Sequence, residues 1–345
     1  MTLPADPAKA GKESAVRFGR SVLDINCAET AHEIEEAIRR LIAGQLHRRG
    51  AVVAISGGVD SAVCATLAAR ALGSQRVLGL LMPERDSAPD GTDRGKLLCE
   101  HLGIEYVIED IAPVLEALGC YRRRDEAIRQ LFPEYGPGYR QKIAVAEDLL
   151  GRDRVNYFNL IIESPDGRRD KQRMPLEVYL QVVAATNMKQ RTRKLLEYYH
   201  AERLNYAVLG TPNRLEYDLG FFVRGGDGLA DLKPIAHLYK TQVYKLAKYL
   251  EVPEEIRRQP PSTDTYSLPQ TQEEFYFALP YNVMDLVLYA FLHSIPAEEA
   301  RRALGLTAEQ VERVYRDIVG KQRTAARLLQ AALLVDEPGG WAGNP

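Results

Sequence analysis

The sequence is poor in cysteine, has almost no net charge and contains no long apolar run. Its 345 residues include four cysteines, and none of them forms a CxxC pair, which excludes zinc ribbons and dithiol redox motifs. The 45 basic and 47 acidic residues give a net charge of −2, so the chain lacks the positive field that non-specific nucleic-acid binding needs. Six histidines without HxxxH or HExxH spacing argue against a transition-metal site.

The sequence does not indicate a membrane or secretory location either. No window reaches the roughly 18 consecutive apolar residues of a membrane-spanning helix. The opening MTLPADPAKAGKES lacks the apolar core of a secretory signal. Composition therefore predicts a cytoplasmic globular protein whose partners include neither nucleic acid nor membrane.

Apolar blocks alternate with helix-forming segments in the first third of the chain. The apolar blocks occupy residues 51–55, 77–82, 106–108 and, further on, 206–209. They lack polar alternation, which is typical of strands buried on both faces of a parallel sheet. Good helix formers fill 61–72 and 94–102 between the first three blocks. This order predicts an α/β fold, a doubly wound parallel sheet flanked by helices.

The remaining segments predict further helices, an insertion and two tails. Thr30 and Glu33 have capping-box spacing, which predicts a helix start. The charged, turn-rich stretch at about 120–180 predicts an inserted segment with a small hairpin around residues 165–167. Helical patterns cover 176–203, 241–250 and 309–333, the last forming a C-terminal helical element. The expected boundaries are a flexible tail at 1–19, one domain at 20–335 and a second tail at 336–345.

The most specific motif is SGGVDS at residues 56–61, between a predicted strand and a predicted helix. Gly57 and Gly58 let backbone N–H groups approach a pyrophosphate, and the following helix adds the positive end of its dipole. The hydroxyl groups of Ser56 and Ser61 can donate to the same anion. Because the Asp60 carboxylate would repel a phosphate, it is better suited to bind Mg²⁺. The motif is neither a Walker loop nor GxGxxG.

Three further blocks follow along the chain. The first runs from Leu209 to Ile235 and contains the sequence GTPNRLEYDLGFFVRGGDGLAD. Its Gly-Thr pair ends a predicted strand, which is where an open parallel sheet places ligand contacts. The second block is LYKTQ at 238–242, and the third is the stiff turn PPSTD at 260–264.

The loop resembles the pyrophosphate loop of ATP pyrophosphatases, and the four blocks in this order resemble the ammonia-dependent NAD synthase family. The resemblance covers roughly residues 20–118 and 180–335. It implies an adenine nucleotide alpha hydrolase-like fold and a homodimer with the dinucleotide near the dimer interface. It further implies that ATP converts the carboxylate of nicotinic acid adenine dinucleotide to an acyl-adenylate. Ammonia then forms the amide, and the reaction releases AMP and pyrophosphate.

The resemblance also implies roles for individual residues. Asp60 and Glu216 would hold Mg²⁺ and would act in catalysis with Lys240. The residues implied in ATP binding are Ser56, Gly57, Gly58, Val59, Asp60, Ser61, Thr211, Lys240 and Ser262. Those implied in dinucleotide binding are Arg191, Arg224, Asp231 and Lys321. Apart from the resemblance, the chemistry needs a group that takes the proton that ammonia loses, and Asp227 is a candidate because it is a nearby acid.

Simpler interpretations stand beside these roles. Glu216 could belong to a solvated helix face, and Lys240 could be a helix-start charge. Arg191 could pair with a surface acid such as Glu197. Lys321 could be an ordinary exposed lysine.

Some features leave other functions open. Four features would suit a relative that amidates another adenylated carboxylate. They are the insertion, the aromatic stretch at 265–277, Arg224 in place of the family's usual Lys and Gly320 in place of its His. The absence of paired cysteines and of a basic surface counts against a sulfur-transfer or tRNA-modifying pyrophosphatase. Asp60, Glu216 and Lys240 together count against a non-catalytic nucleotide-binding homologue. We expect direct use of ammonia, or ammonia from a separate glutaminase partner.

Overall fold

The computed structural model describes residues 18–145, 158–261, 265–277 and 279–335. The strands are β1 Ala51–Ala54, β2 Val77–Leu81, β3 Glu105–Ile108, β4 Arg140–Val145, β5 Phe158–Glu163, β6 Arg169–Arg173 and β7 Ala207–Leu209. The helices are α1 Cys27–Arg39, α2 Val59–Leu72, α3 Gly91–Leu102, α4 Ala112–Ala117, α5 Cys120–Arg129, α6 Leu176–Leu204, α7 Arg214–Leu219, α8 Lys240–Tyr249, α9 Glu254–Arg257, α10 Tyr281–Leu292, α11 Ala297–Leu304 and α12 Ala308–Leu329. Among the helices of these ranges, none combines the length and apolarity that crossing a membrane requires.

The central sheet has four parallel strands in the order β3-β2-β1-β7. Val52 of β1 lies opposite Leu78 of β2 on one side and Val208 of β7 on the other. The chain returns from β3 to the far side of β1 to form β7, so the strand order reverses between β1 and β7. Ligands of open α/β sheets bind at such a point.

Both faces of this sheet are covered, which explains the uninterrupted apolar strands. Val53 points into a core formed largely with α1, α2 and α8. Val52 and Val208 point into a second core formed with α4, α5 and α6. The predicted doubly wound α/β fold is confirmed.

The stretch predicted as an insertion contains a small antiparallel sheet in the order β4-β5-β6. The predicted hairpin joins β5 to β6, and Gly167 adopts φ +86° in its turn. Ile143 and Leu160 pack against α5 and the first turns of α6. β4 was not predicted, because its run of apolar residues is short and a long segment separates it from its partner strand β5.

The C-terminal helices α10, α11 and α12 form a further core with α7. This core packs α12 against α7, the helix that carries Glu216. The predicted tail at 336–345 lies outside the described residues, as does all of the predicted tail at 1–19 except residues 18 and 19.

The predicted start of α1 was wrong, and that of α2 differs by two residues. Asn26, not Thr30, caps α1: its side-chain oxygen accepts hydrogen bonds from the backbone N–H groups of Ala28 (3.2 Å) and Glu29 (3.3 Å). Asparagine is as good an N-cap as threonine, so the capping-box spacing did not decide the boundary. α2 begins at Val59 rather than Ser61, which places Asp60 in its first turn.

Candidate active site

The SGGVDS loop forms a tight turn between β1 and α2. Gly57 has φ +80°, and a Cβ atom there would lie 2.6 Å from the carbonyl oxygen of Gly91. The Ser61 hydroxyl donates to the Gly58 carbonyl (3.0 Å), and the Gly58 N–H donates to Ser56 Oγ (3.3 Å). The turn therefore requires glycine at position 57, and the two serines fix the shape of a turn at a helix N-terminus, a geometry that suits an anion.

This loop lines a cavity of about 880 Å³ at the carboxyl ends of β1, β2 and β7. Nearly all of the predicted ATP and catalytic residues line the same cavity. They are Ser56, Gly57, Gly58, Val59, Asp60, Ser61, Thr211, Glu216 and Lys240. Ser262 lies outside the described residues. The structure thus brings together residues from three separate sequence blocks.

Asn213 links the two carboxylates predicted to bind metal. Its side-chain nitrogen donates to Asp60 Oδ1 (3.2 Å), and its backbone N–H donates to Glu216 Oε2 (3.0 Å). The second contact belongs to a capping box that begins α7, so local sequence fixes the position of Glu216. Gln272 donates to the other oxygen of Glu216 (2.8 Å), and Lys240 forms an ion pair with Asp60.

Asp60, Glu216 and Lys240 together offer two carboxylates and only one ammonium group. Burial and the nearby Asp60 charge raise the pKa of Glu216 to about 7. Burial opposes the charge of Lys240, but Asp60 and Glu216 outweigh it and raise the Lys240 pKa above its ordinary value. Two carboxylates therefore share one buried ammonium group, and an additional cation would stabilise both of them.

The two carboxylates suit Mg²⁺, which needs few protein ligands, better than a metal ion that is bound only by protein side chains. In the described ranges, no three His, Cys, Asp or Glu side chains converge on a metal position. Mg²⁺ is usually held by one or two carboxylates together with substrate phosphates. Asp60 and Glu216 supply such a pair beside the SGGVDS loop, since both line the cavity.

Asp285 of α10 holds the start of α8 and was missed by the sequence analysis. Its carboxylate accepts hydrogen bonds from the backbone N–H groups of Lys240 (3.2 Å) and Thr241 (2.7 Å). The side chain is buried, and burial raises its pKa to about 6. Because 45 residues separate Asp285 from Lys240, no local sequence pattern indicates this contact.

Two predicted dinucleotide contacts lie outside the cavity lining. Arg191 is exposed on α6, and its Nε donates to the carbonyl of Arg224 (3.2 Å). The Arg224 side chain donates to the carbonyl of Gln330 (3.0 Å). The alternative partner of Arg191, Glu197, pairs instead with Lys194 (2.7 Å). Substrate binding by the two arginines stays a prediction.

Asp231 and Lys321 also lie outside the cavity lining, in contacts within the protein. Asp231 accepts hydrogen bonds from the Val208 N–H (2.8 Å) and the Tyr198 hydroxyl (3.2 Å), which ties β7 to α6. Lys321 donates to the carbonyl of Tyr276 (2.8 Å) and is largely buried, so the exposed-lysine interpretation is wrong. Their roles in substrate binding stay predictions.

The α6 side of the cavity was not predicted. Gln190, Arg193, Lys194 and Glu197 line it, together with the half-buried Asp227 from the loop between α7 and α8. Their spacing of three or four residues is the pattern that could have identified this helix face. Burial raises the pKa of Asp227 above its ordinary value of 3.8.

Comparison with known proteins relates the chain to enzymes of one family. The NAD synthase family model matches residues 30–132 and 139–324. The NH(3)-dependent NAD(+) synthetase of Rhizobium rhizogenes (strain K84) is 55% identical over 313 residues, which cover 91% of this chain and 94% of that protein. The NH(3)-dependent NAD(+) synthetase of Thermotoga maritima is 40% identical over 240 residues, which cover 70% of this chain and 79% of that protein.

Solved structures resemble the chain in fold. The NMN synthetase of Francisella tularensis superposes with a TM-score of 0.61 at 23% identity and covers 91% of this chain and 100% of its own. At such low identity, this likeness establishes the α/β architecture alone.

Proposed function

Because this chain belongs to the NAD synthase family, we infer that it catalyses the ATP-dependent amidation of nicotinic acid adenine dinucleotide to NAD⁺ with ammonia. The observation that carries this conclusion is the position of Asp60, Glu216 and Lys240 beside the SGGVDS loop in one cavity. A protein that only bound a nucleotide would need the loop, but it would not need two carboxylates and a buried lysine around it.

The first step would split ATP between its α and β phosphates. A carboxylate oxygen of the dinucleotide attacks the α phosphorus, and pyrophosphate leaves. The loop N–H groups and the serine hydroxyls bind the phosphates, while Lys240 stabilises the charge that builds on them. Mg²⁺, held by Asp60 and Glu216, would neutralise further phosphate charge when bound.

The second step would form the amide. Ammonia attacks the acyl carbon, AMP leaves with the bridging oxygen, and the nitrogen loses a proton. Asp227 is half-buried at the cavity wall, so its carboxylate is a suitable acceptor for that proton. Since the adenylate is itself the activated species, no nucleophilic side chain is needed.

A homodimer would explain where Arg191 and Arg224 act. One exposed face of α6 carries Leu176, Leu180, Leu195 and Tyr199, which are between 54% and 71% exposed. Arg191 lies on the same face. A second copy packed on this apolar stripe would bury it and would bring both arginines to the interface where the dinucleotide is expected. Leu180→Glu should convert a dimer to a monomer in sedimentation, whereas a wild-type monomer would contradict the assembly.

The activity is tested by mass spectrometry of the products. Purified protein receives ATP, Mg²⁺, an ammonium salt and nicotinic acid adenine dinucleotide. We expect NAD⁺, AMP and pyrophosphate in equal amounts. Parallel reactions with nicotinic acid mononucleotide in place of the dinucleotide, and with glutamine in place of ammonium, test the alternative carboxylate and the nitrogen source. Formation of ADP, or amidation of only the mononucleotide, would contradict the proposal.

A further inference from the structure

A buried lysine outside the cavity lining contacts both sides of the cavity. Lys189 of α6 is 1% exposed. Its Nζ donates to Glu84 Oε1 (2.8 Å), to Asp86 Oδ2 (2.7 Å) and to the carbonyl of Thr265 (2.8 Å). These acceptors use all three protons of the ammonium group.

The acceptors belong to two segments that lie far apart in sequence. Asp86 lies in the first wall, residues 85–90, which follow β2, and Glu84 directly precedes it. Thr265 directly precedes the second wall, residues 266–272. All residues of both walls line the cavity, and the second wall also supplies Gln272, which donates to Glu216. One ammonium group thus ties the two walls to the same helix.

The surroundings of Lys189 are fully paired. Arg124 forms an ion pair with Asp86, and the Tyr121 hydroxyl donates to the second oxygen of Glu84 (2.8 Å). Burial disfavours the charge of Asp86, but Lys189 and Arg124 outweigh it and hold the Asp86 pKa below its ordinary value. A buried network whose members are all satisfied is rigid, and it fixes the segments attached to it.

We propose that Lys189 is a positioning residue that holds both walls of the cavity in the arrangement that binds ATP. It acts without touching the ligand, since it does not line the cavity. The inference rests on the proposed function only in naming ATP as the ligand.

The second wall has other attachments, so loss of Lys189 should loosen it without unfolding the protein. Leu268 N–H donates to the carbonyl of Gln141 in β4 (3.0 Å), and the Gln141 N–H donates to Ser267 Oγ (2.9 Å). These contacts keep the second wall beside the small sheet. They also make its amides usable reporters of local opening.

The direct test is hydrogen–deuterium exchange of the full chain without substrate. Lys189→Met should speed exchange about tenfold in both walls, because a buried charged hydrogen bond is lost on each side. Glu84→Gln should affect only the first wall. Arg203→Met, on the same helix and away from the cavity, is the matched control and should leave both walls unchanged. Unchanged exchange in both walls of Lys189→Met would overturn the proposal.

A binding measurement supplies the functional readout. A non-hydrolysable ATP analogue should bind Lys189→Met about tenfold more weakly than wild type, with substantial recovery in Lys189→Arg. The KM for ATP should rise while the KM for ammonium stays unchanged. A variant with a lower melting temperature but normal analogue affinity would show a purely structural role and refute the positioning role. If the wild type made no NAD⁺, the proposed function would fail, but the exchange result would still stand or fall by itself.

Discussion

Lys240, the first residue of α8, forms an ion pair with Asp60 in the first turn of α2, 180 residues earlier in the chain. The pair joins the starts of two helices beside the SGGVDS loop. Lys240 is 2% exposed, so its charge acts in a poorly solvated site. Electrostatic contributions to catalysis are large under such conditions.

Replacement of Lys240 by methionine should abolish most adenylation. The side-chain length is kept but the charge is lost, so the phosphates lose a stabilising partner and Asp60 and Glu216 repel each other unopposed. We expect AMP formation to fall by roughly 10²–10³-fold. Pyrophosphate release measures this directly, and Lys245→Met, an exposed change on the same helix, serves as the control. Wild-type rates in Lys240→Met would remove Lys240 from the mechanism.

Glu216→Gln and Asp218→Asn form a matched pair on α7. Glu216 lines the cavity, whereas Asp218 pairs with Arg214 (3.2 Å) and does not line it. We expect Glu216→Gln to lower pyrophosphate release by about 10²-fold or more and to weaken its dependence on Mg²⁺. Asp218→Asn should stay close to wild type. Equal loss in both variants would indicate a defect of the helix rather than of the site.

Arg224→Ala should affect the dinucleotide and spare ATP. The side chain lies outside the lining of the cavity, and a guanidinium pairs well with phosphates or carboxylates. We expect the KM for the dinucleotide to rise about tenfold, with little change in the KM for ATP. Arg224→Lys should retain adenylation and shift dinucleotide affinity less. If Arg224→Ala has the same dinucleotide KM as wild type, Arg224 does not bind that substrate.

The raised pKa of Asp227 predicts how activity falls on the acidic side of the pH profile. A proton acceptor must be ionised, and burial raises the Asp227 pKa above 3.8, so activity should fall as pH drops through this raised value. Asp227→Asn should lose that limb along with most activity. The two proteins are compared at equal concentrations of free ammonia.

The raised pKa of Asp227 affects stability in the opposite direction: activity falls at low pH, whereas the stability contribution of Asp227 falls at higher pH. The native state binds the Asp227 proton more tightly than the unfolded chain, so its contribution to stability is greatest below pH 3.8 and declines as pH rises through the native pKa. Asp227→Asn should lose this decline, which chemical unfolding at several pH values measures. An identical pH dependence of stability in both proteins would contradict the assigned shift.

Local patterns allowed the loop and much of the sheet to be predicted. The residues of SGGVDS are contiguous, and the hydrogen bonds that shape the turn join its own serines and glycines. The buried strands were recognisable because both faces of the sheet are covered, which removes polar alternation. Glu216 and Lys240 were identifiable because each lies in a block that resembles the family.

The supporting residues could not be predicted, since their partners lie far away in the sequence. Gln272 contacts Glu216 across 56 residues, and Lys189 contacts Glu84 across 105. Neither residue belongs to a motif, and a lysine in a charged helix gives no sign that it will be buried. Only the tertiary packing of distant segments brings these groups together.

The central claim is that the carboxylate of the dinucleotide becomes bonded to the α phosphate of ATP before ammonia attacks. The most direct measurement uses dinucleotide labelled with oxygen-18 in its carboxylate, followed by mass spectrometry of AMP. We expect each AMP to carry one labelled oxygen and NAD⁺ to retain the other in its amide. Unlabelled AMP would contradict an acyl-adenylate, and labelled phosphate with ADP would indicate attack at the γ phosphorus instead.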